Sequence, residues 1–84
     1  MSKEEKLLLR FLFLPKDFTF YELVTLLSNL GFYEAKTGKT SGSRVRFKNK
    51  EGMVIKVHRP HGSAPVKKCY LIEIAEALRK GGIL

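Results

Sequence analysis

Two histidines lie close together in the stretch KVHRPHGS, and their spacing is the first hint of chemistry. His58 and His61 are three residues apart. Histidine takes up and releases protons near neutral pH. Acid–base catalysis needs one group that takes up a proton and another that donates one, and two neighbouring histidines can supply both. His58 and His61 are therefore the candidate catalytic residues. The alternatives are a strand-end histidine without a role for His58 and a loop histidine bonded to its own backbone for His61.

Other catalytic chemistries find less support in the sequence. Pro60 constrains the pair of histidines, and no third ligand of the cysteine or carboxylate type lies near them, so no metal site is predicted. No pair of carboxylates is expected to converge, and no cofactor is predicted. The single cysteine, Cys69, lies in an apolar helical pattern and is predicted to be buried rather than nucleophilic. One cysteine cannot form an internal disulfide, which fits a reducing compartment.

Positive charge is concentrated in the second part of the chain. Of 84 residues, 16 are Lys or Arg and eight are Asp or Glu. Residues 1–35 contain four basic and five acidic groups, whereas residues 36–84 contain twelve basic and three acidic groups. Such segregation is typical of a face that contacts a polyanion. The alternative is an ordinary lysine-rich surface that keeps the protein soluble.

The cations alternate with apolar residues in two neighbouring segments. SRVRFK and MVIKVH each have the period of two of a half-buried strand, and NKEG between them is a turn. FYEAK is a further, earlier strand. A hairpin with apolar residues inside would carry its cations on the other face of the sheet, where they would contact phosphates. The predicted RNA-binding residues are Arg44, Arg46, Lys48, Lys56 and Arg59.

Helices are predicted on both sides of these strands. Residues 3–13 form a short helix that ends before Pro15. Thr19 and Glu22 make a capping box for a second helix, and Gly31 ends it in a left-handed turn. A final helix follows the loop RPHGSAP, with a buried stripe of Leu71, Ile74, Ala75 and Leu78. The predicted fold class is α+β: a helix, a three-stranded antiparallel sheet and a helix, with a short extra N-terminal helix.

Several segments, in this order, resemble the HicA family of toxins. They are LLSNLGF at the end of a helix, GSRVRF at the start of a strand, VHRPHG, and the closing YLIEIAEALRKGGIL. The resemblance implies a fold similar to a double-stranded-RNA-binding domain over residues 15–84, with residues 1–14 as an N-terminal extension. It also implies an mRNA interferase that a HicB antitoxin holds inactive. In the family a histidine commonly follows the glycine-serine pair and is taken as catalytic, whereas here Arg44 follows Gly42 and Ser43.

Three functions remain open from the sequence. The first is a toxin that cleaves mRNA without a metal and is neutralised by a HicB-like antitoxin. The second is an RNA-binding module without activity, which fits the arginine at position 44. The third is a protein-binding domain whose basic face meets an acidic partner.

The apolar run LLLRFLFLP is too short to span a bilayer. We therefore expect a cytoplasmic protein without membrane contact.

Overall fold

The computed structural model describes residues 2–35, 44–60, 62 and 64–84. In this part of the chain the elements are, in order, α1 (Lys3–Leu12), α2 (Phe20–Asn29), β1 (Tyr33–Ala35), β2 (Arg44–Lys48), β3 (Val54–His58) and α3 (Lys68–Lys80). The strands form an antiparallel sheet in the order β1-β2-β3. The predicted α+β fold and its additional N-terminal helix are confirmed.

Helix α2 begins and ends as its sequence predicts. The Glu22 backbone N–H donates to the Thr19 hydroxyl at 3.1 Å, and the Thr19 N–H donates to the Glu22 carboxylate at 3.1 Å. At the other end Gly31 has φ +92°, in the left-handed region that favours glycine. The next N–H, of Phe32, donates back to the Leu27 carbonyl at 2.9 Å. Both ends of the helix are therefore set by local sequence.

Helix α1 packs against the rest of the domain through an aromatic contact. The side chain of Phe11 is completely buried, and its ring centroid lies 5.8 Å from that of Phe18. One cluster of buried side chains includes residues from all three helices and from β2 and β3. The segment 1–14, predicted as an N-terminal extension, thus contributes a side chain to the core of the domain.

Helix α3 covers the apolar side of the sheet and contacts β3. The four residues predicted as its buried stripe, Leu71, Ile74, Ala75 and Leu78, are all buried. The prediction for Cys69 was wrong, because this side chain is exposed. Cys69 precedes Leu71 by two positions, which is a rotation of about 200° around a helix, so it points away from the stripe. With 13 residues, α3 is the longest helix in the described part of the chain, and no helix there has the length and hydrophobicity of a membrane span.

Candidate nucleic-acid interface

The side of the sheet that faces away from the core carries the predicted cations. Residues directly opposite each other in an antiparallel pair share a face, and Arg46 pairs with Lys56. Val45 and Phe47, between the cations of β2, are buried, whereas Arg46 is exposed. We call this side of the sheet the outer face; in the described residues it consists of Tyr33, Ala35, Arg46, Lys48, Val54, Lys56 and His58.

The turn between β2 and β3 fixes which outer-face residues become neighbours. The side-chain oxygen of Asn49 accepts hydrogen bonds from the N–H groups of Glu51 at 3.1 Å and Met53 at 2.9 Å. The Asn49 N–H donates to the Met53 carbonyl at 3.1 Å. Gly52 has φ +83°, which the turn requires. Since a slip of one residue would reverse the faces of β3, Asn49 positions the outer face as well as the turn.

Two cations are placed side by side across the centre of the outer face. Arg46 and Lys56 are direct cross-strand partners, so their Cβ atoms are about 5 Å apart. Like charges in this position repel each other. Both ion pairs found among the described residues belong to Arg10, and neither includes a cation of the outer face. A bound polyanion would remove this repulsion, which makes the pair a candidate phosphate contact.

His58 lies at the end of β3, on the outer face, and its ring is held by an aromatic neighbour. The His58 ring is stacked on the Tyr70 ring of α3, with centroids 5.7 Å apart and an angle of 18° between the planes. Tyr70 is half-buried and His58 is exposed. The stack therefore favours one orientation of the imidazole at the edge of the sheet, beside α3, and the residue remains exposed.

The remaining predicted site residues have different positions. Arg44 is the register partner of His58, at the same end of the sheet. Arg59 has its guanidinium carbon 5.2 Å from the ring centroid of Phe20, the first residue of α2, which is a cation–π contact. His61 lies outside the described residues. The structure thus brings Arg46, Lys48, Lys56 and His58 onto one face and directs Arg59 toward α2.

A cluster of charges outside the outer face joins the first two helices. Glu22 accepts hydrogen bonds from Arg10 Nε at 2.9 Å and Nη2 at 3.2 Å, and the same Nη2 donates to Asp17 Oδ1 at 3.1 Å. These bonds to Arg10 are the main reason why the pKa of Glu22 falls to about 2. The two carboxylates raise the pKa of Arg10 in turn. The cluster is structural, since it holds α1 on α2.

The described residues contain no cluster of side chains that could bind a metal ion. No group of three or more His, Cys, Asp or Glu side chains there is arranged to hold an ion.

A shallow groove of about 270 Å³ lies between β3 and α3. Its lining is mainly aliphatic, with one Lys and one Glu: Val54, Ile55, Lys56, Glu73, Ile74 and Ala77.

Three residues of the site were missed by the reasoning from sequence. Asn49 had a signal, because asparagine in a turn segment commonly bonds to the following N–H groups. Tyr33 was read only as part of a strand, and its place on the outer face follows from the pairing with Lys48. Tyr70 had no signal, because its contact with His58 joins a strand to a helix twelve residues later.

Fold and site together define a small α+β domain whose free sheet face is basic and ends in an oriented histidine. A family model described as "HicA toxin of bacterial toxin-antitoxin" matches residues 20–83. The chain therefore belongs to the HicA toxin family of toxin-antitoxin systems, as its segments suggested. Membership implies a cognate antitoxin. The match begins at the first residue of α2 and leaves α1 outside it. No curated protein and no solved structure matches the chain.

Proposed function

We propose that this chain is a toxin that cleaves mRNA without a metal ion and is neutralised by a HicB-like antitoxin. The observation that carries the proposal is the outer face, whose cations form no ion pair among the described residues and lie next in register to an exposed histidine, with its ring stacked on Tyr70 at the edge of the sheet. Phosphates contact Arg46, Lys48 and Lys56, and Arg44 lies at the register position that extends the row to His58. Since mRNA is the substrate, the toxin acts in the cytoplasm.

The proposed reaction is an internal transesterification. A base takes the proton of a 2′-hydroxyl, the 2′-oxygen attacks the adjacent phosphorus, and the bond to the 5′-oxygen breaks as an acid protonates that oxygen. The products are a 2′,3′-cyclic phosphate and a free 5′-hydroxyl, so atoms and charge balance without a co-reactant. The cations stabilise the negative charge that develops on the phosphate.

His58 is one proton carrier in this proposal, because its ring is accessible at the end of the cationic row. His61 is the other, since it follows three residues later in the chain. Arg59 binds the RNA at the margin of the site, where its contact with Phe20 orients the guanidinium. No residue in this scheme requires a bound metal or cofactor.

A second candidate function is RNA binding without cleavage. It is favoured by Arg44, which stands at the position after Gly42 and Ser43 where the family commonly has its catalytic histidine. The same outer face would then hold RNA by phosphate contacts alone. His58 would be a binding residue, and neither histidine would transfer protons.

The antitoxin is proposed to cover the same face. Because Arg46 and Lys56 repel each other and neither forms an ion pair in the described part of the chain, an acidic surface on the partner would bind there and exclude RNA. Competition is the expected consequence: an antitoxin bound to the outer face blocks binding and cleavage together. A complex that still binds RNA with wild-type affinity would contradict this placement.

The deciding experiment is cleavage of RNA by the purified chain in the presence of EDTA. We expect cleavage to survive chelation, to leave a cyclic phosphate, and to be lost in His58→Ala and in His61→Ala. An RNA with 2′-deoxyribose at the scissile nucleotide should resist, because it lacks the attacking hydroxyl. Tyr70→Phe is the matched control, since it retains the stacked ring and should retain activity.

The outcomes separate the candidates. Cleavage that EDTA abolishes contradicts the metal-independent mechanism. Salt-dependent binding without any cleavage supports the inactive RNA-binding module. If the chain neither binds nor cleaves RNA while a protein partner binds to Arg46 and Lys56, the face serves protein recognition alone.

A further inference from the structure

One aromatic side chain lies on the outer face beside the cations. Tyr33 in β1 is the direct partner of Lys48 in β2, and Lys48 is in turn the partner of Val54 in β3. The Tyr33 side chain is therefore on the same side of the sheet as Lys48, and Tyr33 is 54% exposed. The row across this end of the face is thus an aromatic ring, a cation and an exposed aliphatic side chain.

Tyr33 is not part of the core, although an aromatic residue in a strand is usually buried. The adjacent residue Phe32 is 3% exposed and belongs to the core cluster, so this segment already contributes one buried aromatic side chain to the core. On the outer face, a planar ring that is about half exposed offers a surface for a second planar group. Every nucleobase has such a surface.

The distances suit a nucleotide that uses both rows of the face. Ala35, Arg46 and Lys56 form the next row, two residues further along the strands. Two residues along a strand correspond to about 7 Å. Arg46 lies one strand across from this position, about 4.8 Å further, which puts it about 8–9 Å from Tyr33. One nucleotide can therefore place its phosphate near Arg46 while its base reaches Tyr33.

We propose that Tyr33 stacks on an unpaired base and that the RNA at this face is single-stranded. The inference rests on the proposed function, which is binding and cleavage of RNA, and it specifies that the outer face binds single-stranded RNA. In an A-form duplex the bases are stacked on each other and only backbone and groove edges reach a flat surface. A duplex gives Tyr33 no free base, whereas a single strand does.

The test compares the binding of a short fluorescein-labelled single-stranded RNA with that of the same sequence as a duplex. Both are made with 2′-O-methyl ribose, which prevents cleavage. Tyr33→Leu, which keeps an apolar side chain but removes the ring, should weaken single-strand binding about 5-fold to 140-fold, the range of one base–aromatic stack. Duplex binding should be unchanged. Tyr33→Phe should bind as the wild type does.

Three controls distinguish stacking from other losses. Tyr21→Leu changes an exposed tyrosine on α2, away from the outer face, and should leave binding unchanged. RNA with an abasic nucleotide at the stacking position should lose affinity for the wild type but not further for Tyr33→Leu. The salt dependence of binding should be the same for wild type and Tyr33→Leu, because no phosphate contact is removed.

The outcomes are separable from those of the proposed function. A wild-type chain that binds no RNA overturns both proposals. A chain that binds single strands with the same affinity in Tyr33→Leu as in the wild type overturns only the stacking role. Equal losses for single strand and duplex also overturn it, because they mean that the substitution disturbed the sheet.

Discussion

Removing the two central cations of the outer face is the sharpest test of phosphate contact. Arg46→Gln combined with Lys56→Gln removes the direct cross-strand pair and keeps two polar side chains on the strands. Each phosphate contact to a single-stranded nucleic acid adds about 0.7 to the steepness of log affinity against log salt. Two lost contacts therefore lower the slope by about 1.4.

The difference in slope predicts how much affinity each protein loses between two salt concentrations. From about 50 mM to about 200 mM salt, a fourfold change, the wild type should lose about sevenfold more affinity than the double variant. Fluorescence anisotropy with a labelled single-stranded RNA at four or more salt concentrations measures both slopes. Thermal unfolding should show equal or higher stability for the variant, because the substitutions remove a repulsion between like charges.

The matched control is Lys3→Gln combined with Lys6→Gln. These exposed lysines lie on α1, and their removal lowers the net charge of +8 by the same two units. The control should retain the wild-type slope. If it loses as much slope as the double variant, the attraction is a property of net charge and not of the outer face. An unchanged slope in Arg46→Gln/Lys56→Gln would refute the phosphate contact itself.

Two further predictions concern the scaffold. Glu22→Gln should lower the free energy of unfolding at pH 7 by at most about 1 kcal/mol, because solvent screens the pair: the Glu22 and Arg10 side chains are 27% and 37% exposed. Since the pKa of Glu22 is lowered from 4.5 to about 2, its contribution is fully present above pH 4.5 and is lost as the pH falls toward 2. Denaturant melts across that range should show the wild type and Glu22→Gln converging; a difference that persists at the lowest pH would rule out the ion pair as its source. Gly31→Ala should cost about 1 kcal/mol because of the φ of +92°, even though an added Cβ meets no atom within 4 Å, and Gly31→Asn should cost less. Equal stability of Gly31→Ala and wild type would contradict that reason.

Elements that depend on neighbours in sequence were predictable. The capping box of Thr19 and Glu22, the glycine after α2 and the buried stripe of α3 each follow from side chains within a few residues of one another. The alternation in β2 and β3 correctly separated buried Val45 and Phe47 from exposed Arg46. The error at Cys69 arose because a cysteine within an apolar helical pattern was expected to be buried, although the stripe that begins at Leu71 leaves position 69 on the other side of the helix.

Contacts between separate elements were not predictable to the same degree. No contact was predicted for Arg10, yet it joins α1 to Glu22 and Asp17. Arg59 follows His58 directly, and its position over Phe20 depends on where α2 begins relative to β3. Such contacts are decided by how the helices pack on the sheet, for which a single sequence contains no periodic signal.

The sequence by itself determined that this chain has a basic, half-buried hairpin between amphipathic helices and that it belongs among HicA-like domains. The hairpin and the helices are local properties, because hydrophobic period, capping and turn residues act over a few positions. The tertiary structure alone decided that Arg46 faces Lys56, that Tyr33 joins their face and that Tyr70 orients His58. Strand register and helix placement create these neighbours, since both arise only when distant segments close on a common core.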